Sequence, residues 1–427
     1  MKYIKILMLL TTLFSFSANA LLEVNIIKSK EDSFPIVIAP FEMIGKFQED
    51  VDLAKIIREN LNRSGQFDAK STNQLMTGPI DFDFYLKHKK DAIVFGKIRQ
   101  ITSNVNHAEI YIYDVLTQKP LYANKIAFTN GALRKTAHAL SDVIYYALLG
   151  QKGSFNTRLS FVTVNNSKKN GKRIYRLKIS DWDGKNEQTI IKDDDPILSP
   201  AWSADQRKIA YVSFKNNRSD VFVKYVFQET LPQKLPKFNG IASSPAWHPD
   251  GKNIALTLSK NGNKDIYLYN FDSKKLKRLT TNIAIDTEAS FSPDGKSIAF
   301  TSNRTGQVQV YIKNLESGKI SRATFEGRYN AKPVYSPDGK DLALIHRVGK
   351  DYRLALLDIA SRDLTVLTQN KSDESPYFSP NGGMIIYSTN RDNKGILSII
   401  SLHNNQTVEL MQKEGEVREP SWSNYSN

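Results

Sequence analysis

Six stretches of this chain repeat one phrase: SPAWSADQRKIAYVS from Ser199, SPAWHPDGKNIALTL from Ser244, EASFSPDGKSIAFTS from Glu288, KPVYSPDGKDLALIH from Lys332, SPYFSPNGGMIIYST from Ser375 and EPSWSN from Glu419. Their aromatic anchors, Trp202, Trp247, Phe291, Tyr335, Phe378 and Trp422, follow one another at intervals of 43 to 45 residues. So regular a period marks a repeat architecture. Within a unit, Ser-Pro-Asp-Gly is a tight turn: Pro presets φ, Asp bonds back to the backbone, and Gly accepts a conformation that other residues resist. An alternating run such as Ser297-Ile298-Ala299-Phe300-Thr301 then reads as a strand. A second strand near Val308 to Lys313, a turn at Glu316 to Lys319 and a third strand ending near Thr324 complete the unit, with the anchor segment as the fourth. Four antiparallel strands in about 44 residues make a β-propeller blade.

The ends of the repeat set the blade count. Leu159–Val164, Arg173–Ser180 and Gln188–Ile191 read as three strands without an anchor, and Pro420–Ser423 as an anchor strand with nothing after it. Joined, they make a sixth blade, which closes the ring with strands from both ends of the domain and leaves no long free edge. One aromatic per blade at one position is expected to pack between neighbouring blades. Gln206 and Asn381 interrupt the Asp-Gly turn in two blades and are expected to disturb it.

Working outward, residues 34–153 read as an α/β domain with a mixed sheet and two helices. Phe34 to Phe41 is a buried strand, Glu49 to Arg63 has helical periodicity and ends at Ser64-Gly65, and Ala132 to Leu149 is a second amphipathic helix ending at Gly150. Strands are expected at Ala92–Arg99, Ala108–Val115 and Leu121–Phe128. The propeller is then residues 154–427. Residues 1–20 read as a secretory signal: Lys2 and Lys5, an apolar run from Ile6 to Phe16, and the small-x-small site Ala18-Asn19-Ala20. Cleavage is expected between Ala20 and Leu21. Residues 21–33 then form a flexible segment in which Val24 and Ile26 alternate with Glu23 and Asn25. Such a strand-like tail on a polar tether suits addition to a sheet edge. Ordering it costs about 1–2 kcal/mol per residue, close to what burial of a few aliphatic side chains returns at about 1.5–3 kcal/mol each.

Composition narrows the function classes. The chain has 427 residues, 24% of them charged, a formal charge of +15 and no cysteine. Disulfides, thiolate metal sites and a cysteine nucleophile are excluded. The lysines are spread along the chain with no basic stripe, so nucleic acid is not an expected ligand. No Gly-x-Ser-x-Gly elbow, phosphate-binding glycine loop or His-Glu-x-x-His occurs. His248, His346 and His403 fall at three different repeat positions, so no convergent metal set is expected. The expectation is a non-enzymatic protein without cofactor or metal. The alternatives are a propeller enzyme, either a lyase or metal-dependent, and a peptidoglycan-binding structural propeller.

Acidic residues gather just before the anchors (Asp195, Asp286, Glu288, Asp373, Glu374, Glu416, Glu419), interspersed with Ser199, Ser243, Ser244, Thr287 and Ser375, and with Lys332 and Arg418. A propeller brings these positions around one mouth of its channel. That mouth is either a solvated rim or a grip for a partner's loop or a small cation.

With AHALSDVIY from Ala137 to Tyr145, GQKGSFNTR from Gly150 to Arg158, Phe34 to Phe41 and LNRSGQF from Leu61 to Phe67, the whole chain resembles the TolB family, periplasmic propeller proteins of the Tol–Pal envelope system. The resemblance implies an adaptor supporting outer-membrane integrity and constriction at division, peripheral to membranes through its partners only. It implies binding of the lipoprotein Pal at a propeller mouth through Ser244 and Thr287, with Ser199, Ser243, Asp286, Glu374 and Ser375 nearby, on a face the sequence leaves open. It implies binding of TolA through Leu21, Leu22, Glu23, Val24, Asn25, Ile26 and Ile27. Some colicins are expected to compete at the Pal surface.

Overall fold

A computed structural model describes residues 23–26, 33–47, 49–72, 74–166, 171–238, 240–260, 262–411 and 415–425. Residues 1–22, with the expected cleavage site Ala20/Leu21 and with Leu22, lie outside the described residues, as does Ile27.

The amino-terminal domain is a mixed sheet. Strand β2 (Phe34–Ile38) lies parallel to β4 (Phe67–Ser71) on one side and to β5 (Ala92–Gln100) on the other, and β3 (Glu42–Ile44) continues alongside β5. Strands β6 (Val105–Asp114) and β7 (Pro120–Thr129) extend it antiparallel. Helix α1 (Leu53–Arg63) starts where Asp52 accepts from Lys55 N at 2.9 Å, a cap of about 1 kcal/mol. Helix α3 (Leu133–Leu149) ends at Gly150, left-handed at φ +70°. The two pack together over the face carrying Ile36, Ile38 and Val94. A third helix, α2 (Phe82–Lys87), was not expected; Tyr85 covers Val37 and Ile93 on the other face.

The carboxy-terminal domain is a six-bladed propeller, each blade a four-stranded antiparallel meander. Blade 1 opens with Ile197–Trp202, blade 2 with Ala242–Trp247, blade 3 with Asp286–Phe291, blade 4 with Asn330–Tyr335 and blade 5 with Glu374–Phe378. In blade 6 the inner strand, Glu416–Trp422, pairs with Arg158–Asn166 from the other end of the domain, followed by Arg173–Asp181 and Gln188–Asp193. All six anchors are buried and pack between blades; Trp247, for example, donates its indole N–H to Ala201 O of blade 1 at 3.1 Å. The turns at Gln206 and Asn381 survive, contrary to expectation. Gln206 takes the left-handed position itself at φ +57° while Ser203 Oγ donates to Asp205 at 2.6 Å, and Asn381 accepts from Ser379 Oγ at 2.8 Å as Asp does elsewhere.

The two domains share one apolar core. Phe155, Trp182 and Trp422 of the linker and blade 6, and Met384 and Leu397 of blade 5, join the cluster built by α1, α3 and the sheet. Blade 5 also carries a fifth strand: β1 (Glu23–Ile26) pairs antiparallel with its outer strand Thr407–Met411, from Glu23 opposite Met411 to Ile26 opposite Val408.

Candidate protein-interaction surfaces

Each inner strand of the propeller carries a β-bulge at one equivalent position. In blade 1 the pairing passes from Leu198 opposite Val212 to Ala201 opposite Ala210, so one residue is extra, and the other five blades repeat the slip. The bulged residues are Ser199, Ser244, Glu288, Lys332, Ser375 and Glu419, all left-handed at φ between +48° and +57°. A non-glycine residue there stores about 1–3 kcal/mol, and such strain tends to gather at functional sites. The six residues line a central cavity of about 510 Å³. Sequence reading aligned these six residues, three before the anchors, but did not foresee that all six are bulged and left-handed.

The charges in this channel bind blade to blade. Glu288 accepts from Thr301 Oγ1 at 2.9 Å and from Lys332 N of the next blade at 3.2 Å. Glu419 accepts from Ser199 N at 3.3 Å. Lys332 Nζ donates to Ser375 Oγ at 3.1 Å. Burial opposes its charge, but the carboxylates of Glu419, Glu288 and Glu374 outweigh that and raise its pKa.

Around the mouth where the inner strands begin, Glu374 is exposed, Ser243 is half-buried, and half-buried Thr287 meets Thr257 Oγ1 at 3.3 Å. Asp286 is different: it is fully buried, with both oxygens 3.0 Å from Arg304, so it offers no surface of its own. The loops entering blades 2 and 3 expose Ile241, Ile283 and Ile285, Ile283 to 98%. Single apolar residues in loops carry no periodic signal, and sequence reading passed them over.

The amino-terminal domain sits on the opposite face. Its contacts are to hairpin turns at the ends of the inner strands and beyond: Asn381 N donates to Ser154 Oγ at 3.2 Å, Ser401 Oγ to Ser64 O at 2.7 Å, and Asn404 Nδ2 to Gly65 O at 3.0 Å. Since the inner strands run from one face to the other, Ser243, Ser244, Thr287 and Glu374 lie on the face away from this domain.

Sequence and structure comparisons agree with this architecture. The profile described as TolB amino-terminal domain matches residues 22–121, and that described as TolB beta propeller domain matches residues 145–426. The chain belongs to the TolB family. It is 56% identical to the Tol-Pal system protein TolB of Ruthia magnifica subsp. Calyptogena magnifica over 99% of both chains, and 41% identical to that of Hydrogenovibrio crunogenus over 97% of this chain and 96% of the other. The crystal structure of TolB from Acinetobacter baumannii superposes with a TM-score of 0.87 at 37% identity, covering 95% of this chain and all of that one. Membership in the TolB family places the chain in the Tol–Pal system, whose proteins belong to the cell envelope. Among the described residues, no helix is long and apolar enough to cross a membrane.

One cluster invites a metal reading. His138 on α3 lies beside Asp181 and Asp183 of blade 6. The donor set does not suit a metal ion. Arg134 bonds both aspartates, and Arg63 lies 3.7 Å from Asp183. A ring ligating through Nε2 keeps its proton on Nδ1, and that atom instead faces the amide nitrogen of Asn60 at 2.9 Å.

Proposed function

We propose that the chain is a non-enzymatic periplasmic adaptor of the Tol–Pal system. It binds Pal on the propeller face away from the amino-terminal domain, through Ser199, Ser243, Ser244, Thr287, Glu374 and Ser375, with Asp286 acting through Arg304 to hold the strand that carries Thr287. TolA takes the mature amino-terminal segment, Leu21 to Ile27. The role is support of outer-membrane integrity and of constriction during division, and colicins compete at the Pal face.

The observation that carries this reading is the pairing of β1 with blade 5. A strand whose main-chain groups are spent on blade 5 is not free to join a partner's sheet along the same edge, so docking and partner binding exclude one another there. Ile241, Ile283 and Ile285 add apolar surface beside Ser243, Ser244 and Thr287, where a partner would bury it. Binding rather than catalysis is favoured by the channel groups, since Glu288, Glu419 and Lys332 each spend hydrogen bonds on a neighbouring blade and the carboxylates hold the Lys332 ammonium charged.

Calorimetric titration of soluble Pal into chains beginning at Leu21 and at Phe34 tests the reading. Binding by both, with affinity altered by the truncation, is expected. Binding by neither overturns the adaptor assignment, and equal affinity for both removes the coupling to the tail.

A further inference from the structure

Between the domains lies a polar cluster that neither partner surface uses. Asn60 on α1 is fully buried and meets three groups. Trp182 Nε1 of blade 6 donates to its Oδ1 at 3.1 Å, its Nδ2 donates to Ser141 Oγ at 2.8 Å, and the same Nδ2 lies 2.9 Å from His138 Nδ1. The protons follow from the indole, which only donates. The amide oxygen of Asn60 must face Trp182, so its NH2 faces His138, and His138 Nδ1 must accept. The ring proton therefore sits on Nε2. That atom is buried and points at Asp181 Oδ2 (3.7 Å) and Asp183 Oδ2 (4.0 Å), beyond hydrogen-bond range.

We infer that this junction is a proton-sensitive latch between the domains, closed while His138 is neutral and released when His138 takes a second proton. A doubly protonated ring sets an N–H at Nδ1 against the NH2 of Asn60, donor against donor. Turning the Asn60 amide would satisfy His138 but would set the NH2 against the Trp182 N–H. Both sites are fully buried, so whichever donor is left over has no acceptor. If the amide stays, the bond between α1 and α3 is lost; if it turns, the bond that ties Asn60 of α1 to Trp182 of blade 6 is lost, and this second outcome releases the latch.

The surrounding charges do not relieve the conflict. Facing His138 are Asp181 and Asp183 from blade 6, Arg134 and Asp142 from α3, and Arg63 from α1 with Glu59 behind it. The two aspartates are already matched by the two arginines. Burial works to raise the Asp181 carboxyl, but His138, Arg134 and Asn186 together hold it below the usual carboxylate range. Asp142, one turn along α3, acts in the opposite sense. Its carboxylate accepts from Phe155 N at 2.8 Å and Asn156 N at 3.0 Å, and burial pushes it up to about 6. Its two bonds to the linker favour the ionised carboxylate, so acid weakens that hold whatever happens at His138. The readout must be Trp182, which Asp142 does not touch.

The test follows the four indole N–H signals of the mature chain, labelled with 15N-tryptophan, from neutral pH down to about pH 5, where imidazoles gain charge. In the wild type, the Trp182 indole is expected to lose protection from exchange by about tenfold relative to Trp202, Trp247 and Trp422. In His138→Gln, whose amide can accept from Asn60 and takes no second proton, it is expected to stay protected. Protection of Trp182 throughout in the wild type, or equal loss in His138→Gln, overturns the latch. If His138→Gln does not fold, Trp182→Phe serves. Asn60 is then free to turn, and with Asp142→Asn in both chains to silence the carboxyl that holds the linker, proteolysis at Gly153–Thr157 becomes independent of pH, whereas the chain that keeps Trp182 is cut faster in acid. Acid-enhanced cutting in Trp182→Phe overturns the proposal equally.

Discussion

The two faces of this propeller are built on different principles. On the face toward the amino-terminal domain, polar groups meet fixed partners inside a shared core: Trp422 Nε1 donates to Thr157 Oγ1 at 2.9 Å, and Trp182 to Asn60. On the other face the backbone is strained at six bulges, the lining side chains are half-buried, and Ile241, Ile283 and Ile285 face solvent. The first face holds a geometry and the second keeps surface in reserve. Mutations should therefore read out as stability on one side and as binding on the other.

The largest expected effect comes from ending the chain at Arg418, which removes fully buried Trp422 and most of the closing strand. The loss should exceed the ~3–5 kcal/mol of truncating one buried Trp and abolish cooperative unfolding of the propeller in thermal melts. A single sharp transition near the wild-type temperature would show that the ring does not need its last strand. A smaller effect is expected at Asp142. With its carboxyl raised to about 6, the folded chain holds that proton more tightly than the unfolded one. Lowering the pH from above 6 toward 4 should then add stability at this site, up to about 3 kcal/mol. Urea melts across that range should show the wild type gaining on Asp142→Asn as the pH falls; parallel curves would refute it. The smallest effect on the fold belongs to Ile283→Asp. Stability should stay within ~0.5 kcal/mol of wild type, while Pal affinity falls by about tenfold. Unchanged Pal binding would move the contact away from the loops of blades 2 and 3.

What could be read in the sequence follows the same division. The propeller was legible because each blade repeats one packing solution, so anchors and turns confirm each other six times. The short helix Phe82–Lys87 was not, because six residues span less than two turns and show no full apolar stripe. The bulge ring was half legible. Glycine announces a left-handed backbone, but Ser199, Glu288 and Lys332 adopt it without any such mark, because the pairing on both sides of the bulge imposes it. For the tail, alternation at Glu23 to Ile26 suggested a strand, yet its partner, the outer strand of blade 5, could be found only in three dimensions.

The closing strand has a consequence for how the protein is made. Trp422 meets Thr157 across 265 residues of chain, and it is synthesised after blades 1 to 5. Until it arrives, blade 6 consists of three strands whose first, Arg158–Asn166, has an open edge. The amino-terminal domain and blades 1 to 5 must therefore wait beside an unfinished sheet. A chain that stalls before Glu416 presents that edge to every other strand nearby.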